Sequence, residues 1–486
     1  MVFSAYTLGC KLNQLETEAI TDSFSREGFT YSPFSQINRG TVKPGIILIN
    51  TCTVTSMAEQ KARRVIRKAL RDHPEAVLIV TGCYAQMDRA AITGLEEKPS
   101  GRFFVVPGEK KDRLLDLPRF LGNGNKSFAD KVSVGLALEK ALTEPSTSFS
   151  NQNLVGDVSG VKAHRAFRFV PEKFSSHSRG FLKIQDGCDR SCAYCRVSLA
   201  RGKSLSLAAN EALSQLKALE QRGFAEVVLT GVNISQYSDC GMALPGLLEF
   251  LLRGTEKVRL RLSSLEPDAL TDDLIRVFAE SRIRPHFHLS LQSGSAEILA
   301  KMGRPYTLED VEKALEKIRA VRQDPFLACD IIAGFPGETD AEYNKTRELC
   351  ERTGFAWIHA FPFSPRPGTA AYALQDKVSE IDAVKRVEQL TELAVKGRME
   401  YARRFEGKEV EAVVESTGLP SGKRKDLFDG RDDFFVPGVS ENYLKLFINC
   451  LKEPIPSPGA LVRCRIIRTS SLMSSSGSFD ALAEKI

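Results

Sequence analysis

Short apolar runs recur along the chain at intervals wide enough to hold a helix between them. Ile46-Ile47-Leu48-Ile49 and Val77-Leu78-Ile79-Val80 are apolar at every position, the pattern of strands covered on both faces of a parallel sheet. Each is followed almost at once by a cysteine, in Asn50-Thr51-Cys52 and Thr81-Gly82-Cys83, and the opening run Ala5-Tyr6-Thr7-Leu8-Gly9-Cys10 repeats the arrangement. Residues 1–118 therefore predict an α/β open-sheet domain with three cysteines at the carboxyl ends of strands, where such sheets bind ligands. Residues 119–175, with the polar stretch Ser146-Thr147-Ser148-Phe149-Ser150-Asn151-Gln152-Asn153, read as a linker or surface insertion.

From 176 to 400, strand-like runs (Phe181 to Gln185, Glu226 to Thr230, Arg259 to Ser263, Phe287 to Leu291, Ala328 to Ala333, Ile358 to Phe363) alternate with amphipathic stretches such as Leu205 to Arg222, Leu308 to Arg322 and Ala341 to Arg352. This predicts a partial TIM-like barrel of about six βα units. A long helix from about Glu380 to Arg404 carries Lys385, Arg386, Lys396, Arg398, Arg403 and Arg404. Residues 401–469 then change to short β-like runs, Val410 to Val414, Leu444 to Ile448 and Leu461 to Ile467, which suit a small all-β barrel. Residues 470–486, opening with Ser470-Ser471-Leu472-Met473-Ser474-Ser475-Ser476, read as a disordered tail.

At 486 residues the chain needs several domains, and with 42% hydrophobic and 26% charged residues it is neither fibrous nor wholly disordered. The net charge of +6 is compatible with a polyanion partner without requiring one. No apolar run reaches membrane-spanning length and the first residues lack a signal-peptide pattern, so a cytoplasmic protein with no membrane partner is expected. Eleven cysteines, an odd number without an export signal, argue for reduced thiols or metal ligands over a disulfide framework.

Cys188, Cys192 and Cys195 stand in a C-x3-C-x2-C arrangement after the first barrel strand. Three thiolates with no neighbouring histidine or fourth cysteine do not close a structural zinc site. On a [4Fe-4S] cluster they leave one iron open, able to chelate the amino and carboxylate groups of S-adenosylmethionine (SAM). An electron delivered there breaks the sulfur to C5' bond and yields a 5'-deoxyadenosyl radical. The motif, with Tyr194 inside it, resembles the C-x3-C-x-aromatic-C of the radical SAM superfamily, and the resemblance extends to the methylthiotransferases. That family combines an N-terminal domain bearing three spaced cysteines, a radical SAM barrel and a C-terminal TRAM domain. It implies that Cys10 in Thr7-Leu8-Gly9-Cys10-Lys11-Leu12-Asn13-Gln14, Cys52 and Cys83 hold a second [4Fe-4S] cluster, which supplies sulfur. It also implies SAM contacts at the ends of barrel strands: Thr230 and Gly231, Ser263 and Glu266, Gln292 and Ser293, and Asp330 and Gly334. Arg201 joins the cysteines as a catalytic candidate. The loop after Cys195 departs from the family pattern, with Ser198 in place of proline and Leu205 in place of an arginine, while Arg201, Gly202 and Ser206 persist.

The wording around Cys10, followed by Glu16-Thr17-Glu18, is similar to that of bacterial enzymes acting on N6-threonylcarbamoyladenosine at position 37 of tRNA. The resemblance therefore implies C2 methylthiolation of that adenine, partnership with the tRNA anticodon stem-loop, an electron donor such as flavodoxin or ferredoxin, and loading by iron-sulfur assembly machinery. Methylthiolation of isopentenyladenosine-37 or of a ribosomal-protein aspartate is the alternative within the family, and a non-catalytic iron-sulfur RNA-binding protein the alternative outside it. A cobalamin-binding rival lacks its Asp-x-His-x-x-Gly motif. Lys423-Arg424-Lys425 and the helix arginines offer phosphate contacts, and Phe434 and Phe435 offer rings for base stacking. Cys240, Cys329, Cys350, Cys450 and Cys464 join no motif and are expected to be packing residues.

Overall fold

A computed structural model of the chain describes residues 1–37, 40, 42–122, 131–143, 165–175, 177–415, 435–450, 455–469 and 479–486. The first domain is a parallel sheet of five strands, β1 (Val2–Thr7), β2 (Thr30–Tyr31), β3 (Ile46–Thr51), β4 (Val77–Gly82) and β5 (Phe103–Val105), in the order β2-β1-β3-β4-β5. β3 and β4 are buried at every position, as their unbroken apolar runs require. The helices Lys11–Arg26 and Ser56–Asp72 start at the carboxyl ends of β1 and β3. The second is capped by the Thr55 hydroxyl, which accepts from the Ala58 N–H.

The expected linker is more ordered than its polarity suggested. Within its described part, helix Lys131–Thr143 places Val134, Ala137, Leu138 and Ala141 in the first domain's core beside Phe3 and Ile46. These four positions are spaced as one helical stripe, so the segment packs despite its polar flanks. Arg165 and Arg168 secure the returning chain, donating to Asp112 at 2.8 Å and Asp116 at 2.7 Å. The run 146–153 lies outside the described residues.

The central domain follows the expectation of a partial barrel. Strand β6 (Gly180–Lys183) leads into the short antiparallel pair β7 (Gln185–Asp186) and β8 (Leu205–Ser206), and β9 (Glu226–Thr230) precedes the small hairpin β10 (Ser238–Asp239) and β11 (Met242–Ala243). Then come β12 (Arg259–Leu262), β13 (His286–Gln292), β14 (Phe326–Ala333) and β15 (Trp357–Pro362). The parallel sheets β12-β9-β6 and β13-β14-β15 are joined by the bridges Leu260–Ile283 and Leu265–Leu289, making one open arc. Leu182, Val227, Leu229, Leu260, Leu289, Ile331 and Ile358 point outward into the main core beneath the helices. The alternate residues of each strand face the lumen.

Helix Glu380–Arg403 uses two of its arginines structurally. Arg386 is buried on Glu338 (2.7 Å) and Arg398 is buried on Asp480 (2.7 Å from Nε), so neither is available to phosphate. The last domain is a closed barrel of β16 (Glu409–Val414), β17 (Phe435–Ser440), β18 (Lys445–Asn449), β19 (Leu461–Thr469) and β20 (Ala481–Lys485), in the order β16-β17-β18-β20-β19. The disordered-tail expectation fails at its far end. β20 inserts between β18 and β19, Ala481 and Ala483 enter the barrel core, and Asp480 accepts from Arg398 and from the Lys445 N–H at 2.7 Å. Phe435 is buried against Phe447 with parallel rings 4.8 Å apart, so it does not offer the exposed face expected of a base-stacking residue. Lys423, Arg424, Lys425, Phe434 and residues 470–478 lie outside the described residues. Among the described residues no helix is long and apolar enough to cross a membrane.

Candidate functional site

Cys10, Cys52 and Cys83 follow the neighbouring strands β1, β3 and β4 directly, so the parallel sheet gathers them at one edge. Two glycines allow that closeness. Gly9 has φ +100°, and a Cβ on it would lie 2.8 Å from the Cys52 side chain; Gly82 has φ +104°, and a Cβ there would lie 2.3 Å from the Thr51 carbonyl oxygen. Asn13 ties the ends of the strands together, its Nδ2 donating to the carbonyls of Leu8 (2.8 Å) and Thr51 (3.1 Å).

Cys188, Cys192 and Cys195 occupy the loop between β7 and helix Val197–Arg201. Their sulfurs accept from the backbone N–H groups of Arg190 and Val197, each at 3.4 Å, from Asn233 Nδ2 at 3.8 Å, and from Arg304 Nη1 at 3.2 Å. Arg304 also pairs with Glu266, whose other oxygen lies 3.5 Å from Asn233. Tyr194 packs against the cluster of Ile298, Met302, Phe335 and Ala371, and burial pushes its phenol well above its ordinary value. Burial likewise pushes the Cys195 thiol up to about 11 and Cys52 up to about 12.

Within each triad the sulfurs are close enough to feel one another's charge, yet among the described residues no group of His, Cys, Asp or Glu is gathered tightly enough for a single metal ion. Three spaced thiols with aimed N–H donors, no fourth ligand, and burial that disfavours a bare thiolate fit a [4Fe-4S] cluster held at three irons.

The two triads are braced against each other by buried ion pairs. Arg201, at the end of the helix after Cys195, donates to Glu16 (2.9 and 3.1 Å), Asp186 (3.0 Å) and Asn13 (2.9 Å); Lys183 (3.2 Å) and Lys111 also reach Glu16. A second anchor joins Glu59, just after Cys52, to Arg366 and Arg196. Arg201 thus holds two domains together, a positioning task.

The strand-end candidates divide. Thr230, Gly231, Ser263, Glu266 and Gln292 stand at the carboxyl ends of β9, β12 and β13 beside the second triad, Gln292 in the left-handed region at φ +70°. Ser293 faces away, fully buried with its hydroxyl on Thr346 and on the Ser295 N–H at 3.1 Å. Gly334 is a turn packed on Ala383, its N–H donated to Glu338 at 2.6 Å. Both residues make packing and hydrogen-bond contacts within the protein. Asp330 points into the lumen, 2.9 Å from His288 Nε2.

The lumen has a floor and a wall. Arg261, Arg284 and Glu226 form the floor, with Arg261 at 2.6 Å and Arg284 at 2.9 Å from Glu226. Burial would raise the Glu226 carboxyl, but Arg261 and its neighbours hold it down at about 2. From the last barrel, Tyr443 covers this floor, its ring tilted at 39° against His286 with centroids 4.1 Å apart. His288, His359 and Phe361 line the wall with nearly parallel rings, 5.1 and 6.4 Å between successive centroids. The open side is closed by helix Lys11–Arg26, whose Leu15 packs on the lumen-facing Phe181 and Val228.

Sequence comparison agrees with this construction. Residues 182–350 match the radical SAM superfamily and residues 3–102 the uncharacterized protein family UPF0004. The chain is 38% identical to the threonylcarbamoyladenosine tRNA methylthiotransferase MtaB of Treponema pallidum, over 96% of this chain and 98% of that protein. It is 35% identical to the MtaB of Aquifex aeolicus over 84% of this chain and 91% of that one. A tRNA-2-methylthio-N(6)-dimethylallyladenosine synthase of Nitratidesulfovibrio vulgaris is 29% identical over 89% and 90%. The chain belongs to the threonylcarbamoyladenosine tRNA methylthiotransferase family.

Cys188, Cys192 and Cys195 stood out by their spacing and Cys10, Cys52 and Cys83 by the family resemblance, whereas the contacts of Arg304, Asn233, Glu59, Arg366 and the lumen histidines did not stand out in the sequence. Arg304 stands 112 residues from Cys192 and Glu59 stands 307 from Arg366, so only the fold brings them together. Gly303-Arg304-Pro305, a charged residue between two turn formers, was the one local hint.

Proposed function

We propose that the protein converts N6-threonylcarbamoyladenosine at position 37 of tRNA to its 2-methylthio derivative, with Cys188, Cys192 and Cys195 holding one [4Fe-4S] cluster and Cys10, Cys52 and Cys83 the other. The observation that carries this reading is the pair of three-cysteine sets, one at the carboxyl ends of three parallel strands and the other on the loop after the first barrel strands, braced across a buried network. When bound, the two clusters supply the electron that cleaves SAM to the 5'-deoxyadenosyl radical and the sulfur that replaces hydrogen at C2.

The chain's own residues do the rest. The Arg190 and Val197 N–H groups and Arg304 stabilise negative charge on the sulfurs of the second triad. Thr230, Gly231, Ser263, Glu266, Gln292 and Asp330 border the space for SAM. Helix Lys11–Arg26 and the Tyr443 floor close that space on the side and below, limiting the water that would quench a radical. Reduction by a flavodoxin or ferredoxin, loading by iron-sulfur assembly machinery and a cytoplasmic setting complete the proposal.

Anaerobic reconstitution, followed by SAM, dithionite and tRNA with or without the threonylcarbamoyl group, tests it by nucleoside mass spectrometry. Roughly eight irons per chain, falling to about four in Cys192→Ala, with methylthio product only on threonylcarbamoylated tRNA, is expected. Intact SAM under reduction would leave a non-catalytic iron-sulfur protein; product on isopentenyladenosine alone would move the substrate.

A further inference from the structure

We propose that Lys11 reads the carboxylate of the substrate's threonyl group from inside the barrel lumen; the inference rests on the function proposed above and adds the residue that makes it selective. Lys11 lies one helical turn before Leu15, on the side of the helix that closes the lumen. Its charge is felt by Tyr443 on the floor, by His286 at the foot of β13 and by His359 on β15. It therefore sits between the floor and the wall.

The other cations described around the lumen are already matched. Arg261 and Arg284 are spent on Glu226, Arg179 on Glu226 and Glu415, Arg398 on Asp480, and Lys183 on Glu16 and Asp186. Lys11 makes no ion pair or hydrogen bond among the described residues, although Glu226 lies within its field. Three further buried nitrogens there lack partners, Arg261 Nη1, Arg284 Nη2 and His286 Nδ1. A partly enclosed ammonium without a counter-ion is costly unless an anion arrives to pair with it.

Adenine itself is neutral. The threonylcarbamoyl substituent adds one carboxylate on a short arm, and an isopentenyl substituent adds none. The parallel rings of His288, His359 and Phe361 offer the purine a flat wall to stack on, and Phe361 stands 44% exposed at the upper end of that ladder. A base stacked on this wall directs its N6 substituent toward the floor, where Lys11 is the unmatched charge.

The test uses cluster-loaded protein and two anticodon stem-loop RNAs, one carrying N6-threonylcarbamoyladenosine and the other its methyl ester, which removes only the charge. Binding is measured anaerobically without reductant, and KM and kcat with it, for wild type, Lys11→Gln and Lys11→Arg. Wild type is expected to prefer the free acid by roughly 30-fold, the worth of one charge-assisted contact. Lys11→Gln should bring the preference below about 3-fold, mainly through KM, and Lys11→Arg should restore most of it. Because each protein meets both RNAs, any loss of cluster next to Cys10 cancels in the ratio. A preference unchanged in Lys11→Gln, or absent in wild type, overturns the inference. Absence of methylthio product on either RNA from wild type would instead overturn the proposed function, with the binding ratio still reporting on Lys11.

Discussion

Replacing Glu16 by glutamine keeps the shape of the side chain and removes the charge on which two domains converge. Glu16 is 2% exposed, and its oxygens receive Arg201, Lys183 and Lys111. At about 3 Å and an effective dielectric near 20, each pair is worth roughly 5 kcal/mol of Coulomb energy, so three give roughly 15 kcal/mol. Desolvation of the ions offsets most of that, and removing one partner of such a buried group costs about 3–5 kcal/mol. In Glu16→Gln, Arg201 and Lys183 are left to share Asp186, and Lys111 loses its carboxylate partner. Burial would raise the Glu16 carboxyl, but Arg201, Lys111 and Lys183 hold it well below the usual carboxylate range. A depressed carboxylate stabilises the fold above its unfolded value near 4.3, and that contribution is lost as pH falls through the folded value. The gap between wild type and variant should therefore be full at pH 7 and shrink below about pH 4. Urea unfolding followed by circular dichroism and by the fluorescence of Trp357, the chain's single tryptophan, measures it. A difference under about 0.5 kcal/mol at pH 7, or one equally large at pH 3, would refute the reasoning.

Gly82→Ala forces a Cβ onto the Thr51 backbone at a positive φ; it should cost about 3 kcal/mol or more in thermal unfolding and halve the iron taken up on reconstitution. Arg304→Met removes the donor to Cys192 Sγ and should move the potential of that cluster to more negative values in a redox titration monitored by electron paramagnetic resonance. Deleting residues 479–486 removes β20 and the Asp480 partner of buried Arg398. The last barrel should lose its cooperative unfolding transition in calorimetry, and stem-loop affinity should fall with it.

The parts of the fold readable in advance were those whose information is local. Ile46 to Ile49 and Val77 to Val80 are apolar throughout because both faces of their sheet are covered, and Cys188, Cys192 and Cys195 sit close enough in sequence to show their geometry as spacing. β20 was missed because Ala481-Leu482-Ala483-Glu484-Lys485 has little strand character until β18 and β19 flank it. Helix Lys131–Thr143 was missed because polar flanks masked a four-residue stripe. Ser293 and Gly334 sit at strand ends, as a site requires, and their contacts with Thr346 and Ala383 join positions too far apart in sequence to be read from it. Glu59 and Arg366 left no local signal, because their partners are far away in sequence.

The brace between the two sulfur triads straddles the first of them. Glu16 lies on the helix that starts at Cys10 and Glu59 on the helix that follows Cys52, and each grips an arginine of the barrel. A single grip would leave the first domain free to swing about it; two grips on separate helices, with Leu15 seated on Phe181 and Val228 between domains, oppose that swing. The gap that a sulfur atom must cross is consequently built in before any RNA arrives. Evolution could retune it only by moving whole helices, whereas the floor and wall of the lumen can change one side chain at a time.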